Sequence, residues 1–535
     1  MKRRTFLKTS AVAGASAIIR PRLEINGSPK EAAVAVPQKA FELDEITIAE
    51  LQNRMKAGKY TSVSITRKYL ERIQEIDKQG PEVNSVIELN PDAIAIATAL
   101  DREWKQNKVR GPLHGIPVLI KDNIDTADRM MTTAGSLAMV GSTPAQDSTV
   151  AKRLRDAGAV IIGKTNLSEW ANFRSNHSSS GWSGRGGQTR NPYALDRNPC
   201  GSSSGSGAAA AANLCAVAVG TETDGSVVCP SSSNSLVGIK PTVGLISRAG
   251  IIPISHTQDT AGPMCRTVTD AAILLSVLAG RDPRDKATAE AKVEADYTKF
   301  LDAKGLKGAR IGVVRKSFGF NDGVDKLFED IIAQLRRLGA VIVDPANIPT
   351  AGKFDDSELE VLLYEFKADL NSYLAGLGSK APMRSLKDII NFNERNADRE
   401  MAYFGQDLFL KAEAKGPLTD KAYLTALKQN QKMTREDGID AVLLKNKLDA
   451  LIAPTGGPAW PTDWINGDHF TGGYSSASAV AGYPHITVPA GFVHGLPVGI
   501  SFFASAYSEP TLIKLAYAFE QASKARRPPQ FLRTI

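Results

Sequence analysis

Apolar positions recur along this chain at two spacings, and their alternation predicts an α/β protein. T-I-A-E places Thr47 as an N-cap with Glu50 three residues on, and Ile48, Leu51 and Met55 follow at helical spacing. A second helix carries Ile65, Tyr69, Ile73 and Ile76 on one face, and Ser85 to Leu89 alternates as a strand does. Asn90-Pro91 predicts the start of a further helix, with a cap and a proline at its first position. Val118 to Ile120 reads as a buried strand that ends on Lys121. Residues 147 to 163 give a capped helix with Val150 and Leu154, a Gly158 stop and the strand Val160 to Ile162, with Lys164 just beyond. From 285 to about 444 the pattern is mostly helical and more charged, broken by strands at 309–314 and 340–343. Strand character returns at 449–454, 485–489 and 498–503, and a helix over 509–525 closes the chain.

The middle of the chain does not follow either period. Residues 175–205 are rich in Ser, Gly and Asn with few apolar positions, which in a compact protein suggests a site loop. From Cys200 to Thr242, two glycine- and serine-rich turns enclose an alanine run and an apolar run ending at Gly220, which predicts a buried hairpin-like unit between two turns. Glycine opens turn conformations that bring backbone N–H groups to one place, a geometry suited to an anion or oxyanion.

Of 535 residues, 42% are hydrophobic, enough for a large core, and no run of eighteen apolar residues occurs. The net charge of +8 is not a footprint for nucleic acid. Residues 1–35 hold seven basic against two acidic side chains, and the rest of the chain is close to balanced. That first stretch, M-K-R-R-T-F-L-K-T-S-A-V-A-G-A-S-A-I-I, resembles a twin-arginine export signal. It implies an exported, periplasmic or secreted protein, the twin-arginine machinery as a partner, and no stable membrane anchor. The four cysteines, Cys200, Cys215, Cys229 and Cys265, lack C-x-x-C spacing and read as small buried hydrophobes.

The six histidines are scattered, with no H-E-x-x-H, so no metal is expected; G-x-G-x-x-G after a strand and the P-loop are also missing, so no cofactor is expected. Serine chemistry remains. G-S-S-S-G at 201–205 matches a nucleophile elbow with Ser203 at its centre, as in an α/β-hydrolase esterase, but R-N-P-C precedes it where that elbow needs a strand. The alternative is a serine activated by lysine. An unperturbed lysine is only about 0.04% neutral at pH 7, and burial lowers its pKa by roughly 3 to 5 units. Lys121, Lys164 and Lys240 each stand at a predicted strand end, and periodicity does not choose among them.

P-L-H-G-I-P-V-L-I-K-D-N-I-D, G-K-T-N-L-S-E-W, G-S-S-S-G-S, G-T-E-T-D-G-S-V-V, L-V-G-I-K-P-T and Q-D-T-A-G-P, in this order, resemble the amidase signature family, over most of residues 45 to 525. The resemblance implies a mixed central β-sheet covered by helices on both faces. It implies one domain over 41–535, after the leader and linker at 1–35, with a mostly helical substrate-side region at about 285–445. It further implies a Ser-cis-Ser-Lys triad of Ser226 (nucleophile), Ser202 (bridging serine after a cis peptide) and Lys121 (base), with backbone N–H groups of Thr223, Asp224, Gly225 and Ser226 as the oxyanion hole. Asp224 stands where the family commonly has glycine and Val228 where arginine is frequent. With Cys200 and W-A-N-F-R-S at 170–175, these features are similar to bacterial peptide amidases, which remove the amide from peptide C-termini. A related alternative is the A subunit of a tRNA-dependent amidotransferase. Trp460, Trp464 and Tyr474 are candidates for lining a substrate pocket.

Overall fold

A computed structural model describes residues 34–378 and 381–535, so the leader pattern lies outside the described residues except for its last two positions. The strands are β1 (Val86–Leu89), β2 (Pro117–Lys121), β3 (Val160–Thr165), β4 (Trp182–Ser183), β5 (Gly187–Gln188), β6 (Val217–Glu222), β7 (Val237–Lys240), β8 (Thr260–Cys265), β9 (Arg310–Val313), β10 (Val341–Val343), β11 (Ala450–Pro454), β12 (His485–Val493) and β13 (Leu496–Phe503). Eleven of them form one sheet in the order β1-β3-β2-β6-β8-β7-β12-β13-β11-β9-β10, and β4 and β5 make a separate small hairpin. The sheet is mixed: β2 runs parallel to β3 and β6, while β8 is antiparallel to β6 and β7. All of P-V-L-I-K in β2 is buried, as expected for a strand with parallel neighbours on both edges.

Helices surround the sheet. Among them are α1 (Ile48–Lys56), α2 (Ser62–Arg72), α3 (Ala93–Lys105), α4 (Thr149–Asp156), α5 (Ser204–Ala211), α6 (Val228–Ser233), α7 (Val268–Leu278), α8 (Asp322–Arg337) and α9 (Asp355–Gly376). The capping box forms: Thr47 Oγ1 accepts the Glu50 N–H at 3.2 Å, and Glu50 Oε2 accepts the Thr47 N–H at 3.0 Å. Past Arg72 the second helix continues as a π-helical segment, Ile73–Lys78, that keeps Ile73 and Ile76 buried.

Two local expectations are corrected. Asn90-Pro91 does not open α3. The Asn90 carboxamide oxygen accepts the Asp92 N–H at 2.9 Å in a turn, and the helix starts at Ala93. The alanine run is not part of a hairpin-like unit but the helix α5, buried at every residue and followed by β6. Alanine is the strongest helix former and adds almost no width. The chain therefore packs backbone against backbone here: a Cβ on Gly205 would lie 2.3 Å from the Ser85 carbonyl oxygen and 2.4 Å from that of Asn166.

The cysteines are corrected as well. Cys200 and Cys229 form a disulfide with Cα atoms 6.0 Å apart, whereas Cys215 and Cys265 are free and buried as expected. The bond joins the loop before Ser202 to α6, two segments that the sheet brings together from 29 residues apart. Their spacing in the sequence gives no hint of it.

Candidate active site

Lys121 ends β2 fully buried, and its Nζ donates to Ser202 Oγ at 2.8 Å and to Thr221 Oγ1 at 2.9 Å. Thr221 Oγ1 also accepts from Asn123 Nδ2 at 2.9 Å, so the strand end and the turn after it hold the lysine head from two sides. Burial pulls the Lys121 pKa down to about 7, against the opposing charges of Asp259 and Glu222. The other two lysines are buried but engaged elsewhere. Lys164 Nζ donates to the Ile124 carbonyl at 2.6 Å and to Thr132 Oγ1 at 2.9 Å, and Lys240 Nζ donates to the Pro241 carbonyl at 3.1 Å. Geometry thus chooses where periodicity did not.

Ser202 follows a cis Gly201–Ser202 peptide and is fully buried. Ser226 sits in the turn between β6 and α6 and keeps 9% of its surface exposed, so of the two serines only Ser226 meets solvent. The loops carrying them are joined directly, because the Ser203 N–H donates to the Ser226 carbonyl at 3.2 Å. Ser203 itself does not form an elbow. Its hydroxyl donates to the Thr221 carbonyl at 2.9 Å and accepts the Thr221 N–H at 3.1 Å, a fully buried contact that locks the loop to β6.

The turn from Thr223 to Val227 is shaped from below. Gly225 takes φ +77°, a left-handed conformation. Glu222 Oε2 accepts the N–H groups of Val227 at 2.8 Å and Val228 at 3.0 Å. Among the described residues, no protein group accepts from the N–H of Asp224, Gly225 or Ser226. The Asp224 carboxylate points away toward Ser476, whose hydroxyl donates to it at 2.6 Å.

A cavity of about 320 Å³ opens beside this turn, bounded by Asn123, Thr221 and Thr223 on the site side and by Ile251, Ile252 and Ile254 opposite. Helix α9 contributes Asp369, Ser372 and Tyr373, so part of the helical region borders it. Ala171 also lines it, from the left-handed turn Trp170–Asn172 of the W-A-N-F-R-S segment, which the fully buried Glu169–Arg174 ion pair (3.0 Å) anchors. The three aromatic candidates lie elsewhere. Trp460 packs on the Cys200–Cys229 disulfide, Trp464 stacks on Tyr403 at 4.9 Å, and Tyr474 stacks on Phe503 at 3.8 Å.

Sequence reasoning passed over Thr221, Asn123 and the 250–254 wall. Asn123, two residues after Lys121, was the available signal for one of them, while the wall comes from a segment without periodicity. Among the described residues, His256, Glu365 and Asp369 have ligand atoms within 4.8 Å of one another, as a metal site would. Glu365, however, already accepts from Ser255, Thr257 and Tyr423, and His256 bridges to Asp369 at 2.9 Å, so the group reads as a tie between the cavity wall and α9.

A large mixed sheet that brings a buried lysine, a buried serine and a more accessible serine turn together is the architecture of the amidase signature enzymes, which hydrolyse amides. The chain belongs to that family: the family model described as Amidase matches residues 64–513. A solved structure of native peptide amidase from Stenotrophomonas maltophilia is similar at 53% identity and a TM-score of 0.88, covering 92% of this chain and 100% of that one. A probable amidase of Arabidopsis thaliana is 46% identical, covering 92% of this chain and 93% of its own. The glutamyl-tRNA(Gln) amidotransferase subunit of Carboxydothermus hydrogenoformans that falls in the same family is 34% identical, covering 90% and 98%.

Proposed function

We propose that this amide hydrolase releases ammonia from C-terminal peptide amides through an acyl-enzyme on Ser226. The observation that carries the mechanism is the 2.8 Å contact between Lys121 Nζ and Ser202 Oγ inside a fully buried pocket. With a pKa of about 7, roughly half of Lys121 is neutral at neutral pH, against about 0.04% for an exposed lysine. Neutral Lys121 takes the proton of Ser202, Ser202 takes that of Ser226, and Ser226 Oγ attacks the amide carbonyl. The oxyanion forms against the N–H groups of Thr223, Asp224, Gly225 and Ser226, each such donor being worth about 3 to 4 kcal/mol. The proton returns through the same relay to the leaving nitrogen, ammonia departs, and water releases the acid.

The peptide-amide assignment draws on the 53% identity to peptide amidase structures, well above the 34% to the amidotransferase relative. The 320 Å³ cavity is of a size to take a residue or two of the acyl part, and its isoleucines favour apolar side chains. Export is part of the same proposal: a disulfide beside the site suits an oxidising compartment and agrees with the twin-arginine pattern of the leader. The test is ammonia release across peptide amides, free glutamine and asparagine, and aliphatic amides. Preference for free glutamine, with dependence on a partner protein, would favour the amidotransferase instead. Export of a folded reporter fused to residues 1–40 tests the localisation.

A further inference from the structure

Asp259 opens the Q-D-T-A-G-P segment just before β8, and the mechanism above gives it no part. The register explains where it lies. Glu222 of β6 pairs with Thr260 of β8, so the next position outward on each chain sets Asp259 against Thr223. Thr223 Oγ1 donates to Asp259 Oδ1 at 2.6 Å. The other carboxylate oxygen accepts the backbone N–H groups of Ile254 at 2.8 Å and Ser255 at 2.9 Å. One buried side chain therefore holds both the turn that carries Ser226 and the wall of the cavity facing it, and it lines that cavity itself.

We propose that Asp259 is a positioning residue for amide hydrolysis: its carboxylate fixes the Thr223–Ser226 turn against the Ile254–Ser255 wall and supplies a negative charge that faces Lys121. The inference rests on the Ser226–Ser202–Lys121 reading. The charge acts through space, as no hydrogen bond joins Asp259 to Lys121. The charged groups around the pair are few. Glu222 also faces Lys121, but it is turned to the N–H groups of Val227 and Val228 and to Lys240, while Arg248 faces Asp259 from the cavity side. Burial pushes the Asp259 pKa up to about 6, still below that of Lys121, so over the range where Lys121 is neutral Asp259 is ionised. A base stripped of this charge would lose its proton more readily but accept one less readily.

Two variants of the full-length enzyme separate the two roles, read by the pH profile of ammonia release from a peptide amide. Asp259→Asn removes the charge and one acceptor. Its acid limb is expected to move down by about one pH unit, and its kcat to fall by about tenfold to a hundredfold with little change in KM. Thr223→Val removes the tether but keeps the charge, so kcat should fall while the limb stays in place. A merely structural aspartate would not move the limb. An unmoved limb in D259N, or wild-type kcat in both variants, overturns the proposal. If D259N does not fold, T223V decides: undiminished kcat overturns the tether, and a kcat loss at constant KM supports it. A wild type that releases no ammonia from any amide overturns the hydrolase reading too, whereas an active wild type with an indifferent D259N overturns only this inference.

Discussion

Lys121 and Ser202 meet at 2.8 Å although 81 positions separate them in the chain, and the ammonium has a second hydroxyl, Thr221 Oγ1, at 2.9 Å. Both partners are uncharged, so nothing in direct contact offsets the cost of burying the cation, and its pKa falls from 10.5 to about 7. Activity that needs neutral Lys121 is therefore lost as pH falls through about 7 and levels off above it. A pH profile of kcat/KM flat from 5.5 to 8.5 would contradict this. Lys121→Ala should lie near background, and Lys121→Arg, which cannot deprotonate, should be no better.

Ser226→Ala removes the attacking atom and should reduce kcat to background. Ser202→Ala leaves the nucleophile but breaks the proton path, with an expected loss of about 10²- to 10⁴-fold. A fluorophosphonate probe distinguishes the two, by labelling Ser226 in the wild type, slowly in S202A and not at all in S226A. Ser203→Ala, by contrast, should affect stability more than it affects probe labelling, because its hydroxyl is engaged with the backbone of Thr221.

The Cys200–Cys229 bond spans 29 residues, for which the loop-entropy estimate of stabilisation is about 3 to 4 kcal/mol. Reduction, or the Cys200→Ala/Cys229→Ala pair, should lower Tm by several degrees. Because the bond starts two residues before Ser202 and ends three after Ser226, kcat should fall below the melting transition too. Equal thermal profiles for the oxidised and reduced protein would contradict the first expectation, and equal kcat values the second.

Filling the cavity should separate substrates by size. Ile252→Trp is expected to raise KM for peptide amides with a large terminal side chain by about tenfold or more, and to leave a two-carbon amide nearly unaffected. A uniform change across the series would place the acyl group somewhere other than between Thr223 and the isoleucine wall.

What could be read in advance followed local physics. Periodicity located β2, β3, α4 and the long helices of 322–446, and the motif order carried Lys121, Ser202 and Ser226, of which the structure puts the first two in contact. The failures were tertiary. An alanine run satisfies a helix or a tight apolar connector equally until its neighbours are known, and the narrow space around Gly205 is what resolves it. The Cys200–Cys229 pairing and the Asp259–Thr223 contact depend on how strands are registered across the sheet, which single-chain spacing does not encode. Trp460, Trp464 and Tyr474 drew notice as large side chains, yet the cavity is walled by three isoleucines from a segment without helix or strand signal.

Helix α5 has a consequence for anyone who wishes to alter this enzyme. Its eight residues, S-G-S-G-A-A-A-A, look like the least informative stretch of the chain, yet it lies buried beside β2, which ends on Lys121, and leads into β6, which ends at the Ser226 turn. The relative height of base and nucleophile is thus set by how thin this helix is. A library that randomises it should be almost barren, even for conservative enlargements such as alanine to valine. Diversity is better directed at residues 250–254, where the wall can change shape without moving the lysine or the serines.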